Sequence, residues 1–203
     1  MNEYAGLVHT EDQFTKSDDE CPHPEYWHAP DSESAEWEVT RLVAAMACAL
    51  RPALIVETGS HVGATAEAIG RTLKRASRGQ LITIEIDKTL AERTQNRVSG
   101  LPVTVVRGSS LDYEPPGPVE FFWLDSDVGI RAEEVRHFLP WTTHRTVFGV
   151  HDTGPRHCVS KYLCGLVAEG IIQPPVYLPT PRGVCFFRLG FSAPTRAEVG
   201  CRR

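Results

Sequence analysis

Leu54-Ile-Val-Glu57-Thr-Gly59-Ser60-His61-Val-Gly63-Ala-Thr65 decides the fold. An apolar run ends in an acid, two glycines follow, and a helix-compatible run starts straight after. This order predicts a strand, a tight turn and a helix, which brings the backbone close to a nucleotide-like ligand. The acid narrows the ligand class. A pyrophosphate site presents backbone N–H groups to an anion and keeps negative charge away. A carboxylate at the strand tip suits instead a cationic ligand, or one rich in hydroxyls and amines. The G-x-G-x-x-G spacing of a nicotinamide-dinucleotide site is absent.

Working outward, the same grammar repeats. Asp31-Ser-Glu-Ser34 offers N-cap residues, and Trp37, Leu42, Val43, Met46, Ala47 and Leu50 recur at helical spacing until Arg51-Pro52. Strands are predicted at 53–57, 81–86, 103–107, 119–124 and 146–150, with helices at 62–76, 88–98, 130–138 and 157–168 between or after them. Two further strands, 176–178 and 184–188, are joined by Pro179-Thr-Pro-Arg-Gly183, a link too short for a helix. The final strand is therefore expected to run antiparallel to its neighbour. The fold class is α/β: a Rossmann-like, doubly wound sheet, mostly parallel, with helices on both faces. Residues 1–32 read as an N-terminal arm or lid, 33–190 as the ligand-binding domain and 191–203 as a tail. In the arm, Pro24-Glu-Tyr-Trp-His28 either packs over a pocket or anchors the arm to the domain.

The 203 residues suffice for one well-buried domain, and the net charge of −5 argues against a nucleic-acid partner, which needs a basic face. No apolar run approaches the ~20 residues of a membrane span, so no membrane partner is expected. Met1-Asn-Glu-Tyr-Ala lacks the basic and apolar regions of a signal peptide. None of the six cysteines forms a CxxC pair, and His157, Cys158 and Cys164 fit no zinc spacing. Cys48 and Cys185 read as small core residues. A reduced, cytoplasmic protein is the simplest expectation.

In open α/β sheets, ligands bind beyond the carboxyl ends of the strands. Glu57, Gly59, His61, Gly63 and Thr65 come at and after the end of the first strand, and the second contributes Glu85 and Asp87. Ser109 and Ser110 follow the third, Asp125-Ser-Asp127 the fourth, and His151-Asp152-Thr the fifth. A purely structural domain has no reason to gather carboxylates at one edge, where like charges raise each other's pKa. Glu85 suits a ribose diol, because a carboxylate accepts two hydrogen bonds side by side. Asp87 reads as the N-cap of the next helix, because Glu85 leaves Ile84 and Ile86 together on the opposite face. Ser109 or Ser110 suits an adenine edge or a loop cap. Arg182-Gly183 reads as a turn with a solvated arginine.

These residues resemble the class I S-adenosylmethionine-dependent methyltransferases. Glu57-x-Gly59-x-His61-x-Gly63-x-Thr65 is similar to motif I of the catechol O-methyltransferase-like branch. Thr-Ile-Glu85-Ile-Asp is similar to that branch's ribose-binding strand, and Val103-Thr-Val-Val-Arg-Gly-Ser-Ser to its adenine-side strand and loop. Phe-Phe-Trp-Leu-Asp125 and Val-His151-Asp152-Thr are similar to its fourth and fifth strand tips. The resemblance covers roughly residues 33–190 in motif order. It implies that Glu57 and the backbone of Gly59, Ser60, His61 and Gly63 hold the methionine portion, with Thr65 closing the motif. It also implies that Glu85 holds the ribose, that Ser109 or Ser110 lies near adenine, and that Asp125 lies between cofactor and substrate. Two positions depart from the catechol-type pattern: Val128 stands where those enzymes carry a catalytic lysine, and Asp152-Thr153 where they carry Asp-Asn. The pairing of Asp125 with His151-Asp152 is more similar to macrocin-type sugar O-methyltransferases and the cephalosporin hydroxylase group, which hold a divalent cation at these tips.

The activity implied is O-methylation of a small-molecule or sugar-like hydroxyl, with a non-catalytic S-adenosylmethionine-binding module as the alternative. A hydroxyl needs a base or a metal before it attacks. His151, Asp125 and Asp152 are the candidate catalytic residues. Asp125 and Asp152 are the candidate Mg²⁺ site, with Asp127 either the third ligand or the cap of the helix near 130. His151 suits a base because its ordinary pKa lies near neutrality. The expected partner is a small-molecule substrate; oligomeric state is left open, a homodimer included.

Overall fold

The computed structural model describes residues 26–190 together with the backbone of 13–14. The 1–32 arm falls largely outside the described residues, and the 191–203 tail wholly so. The main sheet has seven strands: β3 (Leu54–Thr58), β4 (Gln80–Glu85), β5 (Val103–Arg107), β6 (Phe121–Leu124), β7 (Val147–His151), β8 (Val176–Leu178) and β9 (Val184–Arg188). They lie in the order β5-β4-β3-β6-β7-β9-β8. The first five are parallel to one another, whereas β9 is antiparallel to both β7 and β8. The expected antiparallel last strand is present, and it lies between its neighbours rather than at the edge. The helices are α1 (Trp37–Leu50), α2 (Ala64–Ala76), α3 (Lys88–Arg97), α4 (Arg131–Phe138) and α5 (Val159–Ala168). None among the described residues is long and apolar enough to cross a membrane. In the arm, β1 (Gln13–Phe14) pairs antiparallel with β2 (His28–Ala29), a short ladder that the sequence did not suggest.

Alternation along each strand divides the core between two faces. Ile55, Leu81, Phe121 and Trp123 pack with Val39, Val43 and Ala47 of α1 and with Ala66, Ile69 and Leu73 of α2. Val56, Ile82, Phe122, Leu124, Phe148 and Val150 pack on the other face with Val135 and Phe138 of α4 and with Val159, Leu163 and Leu166 of α5. Three aromatic contacts bind the second face: Phe122 stacks on Phe148 at 4.7 Å and on Phe138 at 4.9 Å, and Phe148 on Phe187 at 5.3 Å. Gly149 is needed where it is, because a Cβ there would stand 2.8 Å from the Phe186 and Trp123 rings.

The structure corrects several details. Of the apolar residues expected on α1, Trp37, Val43 and Ala47 are buried, together with Val39, Thr40 and Ala44, whereas Leu50 is exposed. Cys185 is buried as expected, but Cys48 is exposed because it lies off that buried face. Asp31 does not cap α1. Its Oδ1 accepts from the Ser34 and Glu33 amides in a turn ahead of the helix, and the N-cap is Glu36. Trp27 packs against the first core face, so that part of the arm is an anchor.

Candidate active site

The tips of β3, β4, β6 and β7 converge at one edge. Gly59 turns the chain at φ +74°, and Gly63 opens α2 at φ +78°, both in the left-handed region that favours glycine. A Cβ on Gly59 would stand 2.8 Å from Ser126 Cα and in contact with the Asp125 carbonyl, so this turn lies directly against the tip of β6. The Gly59 amide donates to Ile84 O at 2.9 Å and the His61 amide to Glu85 Oε2 at 2.8 Å, which ties the loop to the tip of β4.

Glu57 and Glu85 share one face of the sheet. In the register, Glu57 lies beside Thr83, and Glu85 is two residues further along β4. Glu57 is only 1% exposed, and its Oε2 is buried without a hydrogen-bond partner. Burial pushes its carboxyl up to about 8; the neighbouring Thr83 hydroxyl works the other way, and the charges of Asp125 and Glu85 add to the rise. An orphaned, buried carboxylate oxygen beside a left-handed glycine turn fits a ligand that brings a cation. Glu85 accepts from the amides of His61 and of Asp87, at 2.8 and 3.0 Å. A carboxylate has about four lone-pair positions, so two remain for a diol. Asp87 caps α3 through Leu90 N at 2.9 Å, as its position predicts. Ile86, however, does not share a buried face with Ile84. The strand ends at Glu85, and Ile86 projects from this edge 73% exposed.

The other candidates divide. Ser60 Oγ donates to Thr94 Oγ1, and the Thr65 and Thr40 hydroxyls meet at 3.3 Å, so both side chains serve packing. His61 Nδ1 faces Ser34 Oγ at 3.1 Å. Ser109 caps its own loop through Leu111 N. Ser110 is buried and donates to Glu134 Oε1, whose other oxygen accepts from Thr58 at 3.2 Å. The Asp127 carboxylate accepts from the Gly129 amide at 2.7 Å, which caps the turn before α4. Val128 packs against the second core face.

At the tips of β6 and β7, one ligand atom from each of Asp125, His151 and Asp152 falls within 4.8 Å of the others, the spacing of a cation's ligand set. Asp127 lies outside this group. The same atoms already have cationic partners. The Arg131 guanidinium, 2% exposed, donates to Asp152 Oδ2 at 2.8 Å and lies 3.3 Å from Asp125 Oδ1. It also donates to the backbone carbonyls of Ser126 and His151. Arg182 takes Asp152 Oδ1 at 2.6 Å, so the arginine expected in solvent is drawn into this cluster. His151 is fully buried. Its Nδ1 faces Asp125 Oδ1 at 2.9 Å, and its Nε2 faces Glu36 Oε2 at 2.8 Å.

Burial alone would lower the His151 pKa, but the charges of Asp125 and Asp152 outweigh it and raise the imidazole to about 10. Burial likewise works to raise Glu36 and Asp152. The His151 contact holds Glu36 below the usual carboxylate range, and His151, Arg131 and Arg182 together hold Asp152 well below it. Three carboxylates thus face three cationic groups; Glu36, His151 and Asp152 are buried, whereas Asp125 stays 15% exposed. Both His151 nitrogens are engaged and each Asp152 oxygen faces an arginine, so a divalent ion would have to displace a cationic partner to reach Asp152. Sequence reasoning missed Glu36, Arg131 and Glu134. Each sits at or near a helix start, where a polar residue is unremarkable.

No protein-family model and no curated sequence matches the chain. Solved structures do. The SAH-bound methyltransferase PaMTH1 of Podospora anserina superposes with a TM-score of 0.68 at 17% identity, over 79% of this chain and 82% of that one. The O-methyltransferase TomG of Streptomyces achromogenes, involved in tomaymycin synthesis and solved with SAM, gives 0.66 at 18% identity over 78% and 82%. The Bacillus cereus O-methyltransferase in complex with SAH gives 0.67 at 16% identity over 77% and 83%. The chain has the class I methyltransferase fold. At these identities the likeness is one of architecture, and function must be argued from the residues at the edge.

Proposed function

We propose that this protein binds S-adenosylmethionine at the carboxyl edge of β3, β4 and β6 and methylates a hydroxyl oxygen of a small molecule. The observation that carries the reading is Glu57, whose buried Oε2 lacks a partner beside the glycine turn. Glu57 would take the ligand's ammonium group, and the spare lone pairs of Glu85 its ribose diol. Exposed Ile86, next to Glu85, offers an apolar face for the purine. The cofactor, when bound, supplies the methyl group from its sulfonium. The protein's task is to hold the acceptor oxygen in line and to keep water out. His151 is engaged through both nitrogens, so it orients the tips of β6 and β7 rather than taking the acceptor's proton. His157, 3.7 Å from Asp152 and 28% exposed, is the imidazole left open to a substrate hydroxyl.

The test is titration of S-adenosylhomocysteine into the protein and into Glu85→Ala and Glu85→Gln. We expect binding by the parent and a loss of at least ~30-fold in both variants, about 2 kcal/mol for a charge-assisted pair of hydrogen bonds. Undiminished binding by a folded Glu85→Ala variant rejects the ribose assignment. A second reading, a binding module without transfer, rests on Val128 packing into the core where a catalytic lysine would stand. Incubation with methyl-labelled cofactor and a set of hydroxylated metabolites separates the two, since the module transfers no label.

A further inference from the structure

We propose that Arg131 fills, from within the chain, the place of the divalent cation at the acid pair of β6 and β7, so that the site works without a metal. Asp125 and Asp152 end adjacent parallel strands, and some cation must bridge their carboxylates if both are to be charged. Arg131 opens α4, directly after the β6 tip, and its guanidinium reaches Asp125, Asp152 and the carbonyls of Ser126 and His151 together. A planar fork with five donors can satisfy acceptors on several sides in this way, where a hydrated ion would need open coordination positions. Arg182 holds the remaining Asp152 oxygen, and the two imidazole nitrogens of His151 are turned to Asp125 and Glu36. Asp152 is 2% exposed and each of its oxygens faces an arginine, so an incoming ion would have to displace a guanidinium to reach it. Arg131 is therefore a positioning residue: it fixes the acid pair, and through it the tip of β6 against the Gly59 turn.

The inference rests on the methyl-transfer reading only where activity is measured; the binding measurement is independent of it. The experiment is Mn²⁺ titration followed by electron paramagnetic resonance, on the parent, Arg131→Ala and Arg131→Lys. We expect the parent to leave the free-ion spectrum unchanged. Arg131→Ala is expected to bind one ion per chain, and Asp152→Asn in that background to release it. Arg131→Lys, which keeps the charge, should bind none. A merely structural arginine would give no gain of metal binding on its removal. Mn²⁺ binding by the parent that is lost in Asp152→Asn overturns the proposal, and this measurement decides the matter even if Arg131→Ala does not fold. A folded Arg131→Ala that binds no ion also overturns it. Where transfer is detected, chelator should leave the parent's rate unchanged, and a loss reversed by Mg²⁺ refutes the proposal. Failure to bind S-adenosylhomocysteine would instead remove the functional reading and leave the Mn²⁺ result standing.

Discussion

Glu57 should release a proton when the ligand binds. Its carboxyl is buried and raised to about 8, so at pH 7 about 0.9 of the population is protonated. An ammonium group brought next to Oε2 favours the charged form and pulls the pKa down. Binding of S-adenosylhomocysteine should then release about 0.9 proton at pH 7 and about 0.1 at pH 9. Isothermal titration in buffers of different ionisation enthalpy reads this number directly, as the slope of apparent enthalpy. Glu57→Gln keeps the shape and removes the titration, so its slope at pH 7 should be near zero.

The same residue makes a second, opposite demand. A carboxyl raised above its ordinary value of 4.5 contributes stability that is complete below that pH and is lost as pH rises through about 8. By pH 7 the loss is on the order of 3 kcal/mol. The ligand-free Glu57→Gln variant should therefore melt higher than the parent while binding more weakly. Equal proton release by parent and variant, or a variant that is both less stable and equally tight, would refute the reasoning.

Two further outcomes follow from the geometry. Gly59→Ala places a Cβ 2.8 Å from Ser126 Cα, whereas Gly100→Ala, at the same φ of +74°, meets open space. Urea denaturation should cost Gly59→Ala more than ~3 kcal/mol and Gly100→Ala about 1 kcal/mol, and equal costs would show that close approach to β6 does not matter. His151 has a folded pKa raised from 6.5 to about 10, so its contribution to stability is complete below pH 6.5 and is lost as pH rises through about 10. Melting temperature should fall steeply between pH 8 and pH 10 in the parent and less so in His151→Gln; parallel curves would place the titration elsewhere.

The sheet was legible because its signals are local. Apolar runs such as Leu54–Val56 and Phe121–Leu124 are buried on both faces, and turn residues bound them. The acids at the tips were legible for the same reason: Glu57 and Glu85 lie at the ends of β3 and β4, and Asp125 and Asp152 directly follow β6 and β7. Their partners were not. Glu36 meets His151 across 115 positions of sequence, and no periodicity reports a contact of that range. Arg131 reads as an ordinary first-turn residue of an amphipathic helix, and Arg182 as a loop cation. Ile86 was misjudged because alternation was extended one residue past the end of β4, where the pleat no longer applies. Ser110 was placed correctly on its loop but turned inward, toward a Glu134 that only the packing of α4 reveals.

The placement of β9 has a consequence for how the chain is made. It docks into β7 from the carboxyl-terminal end of the molecule, and the link before it carries Arg182, whose partners include the Glu33 carbonyl, 149 positions earlier. A nascent polypeptide halted upstream of this link leaves β7 with an unpaired edge and Asp152 one cation short. Such a product would offer a hydrogen-bonding template to its neighbours, so stops ahead of β9 should yield insoluble material rather than a slightly shorter protein.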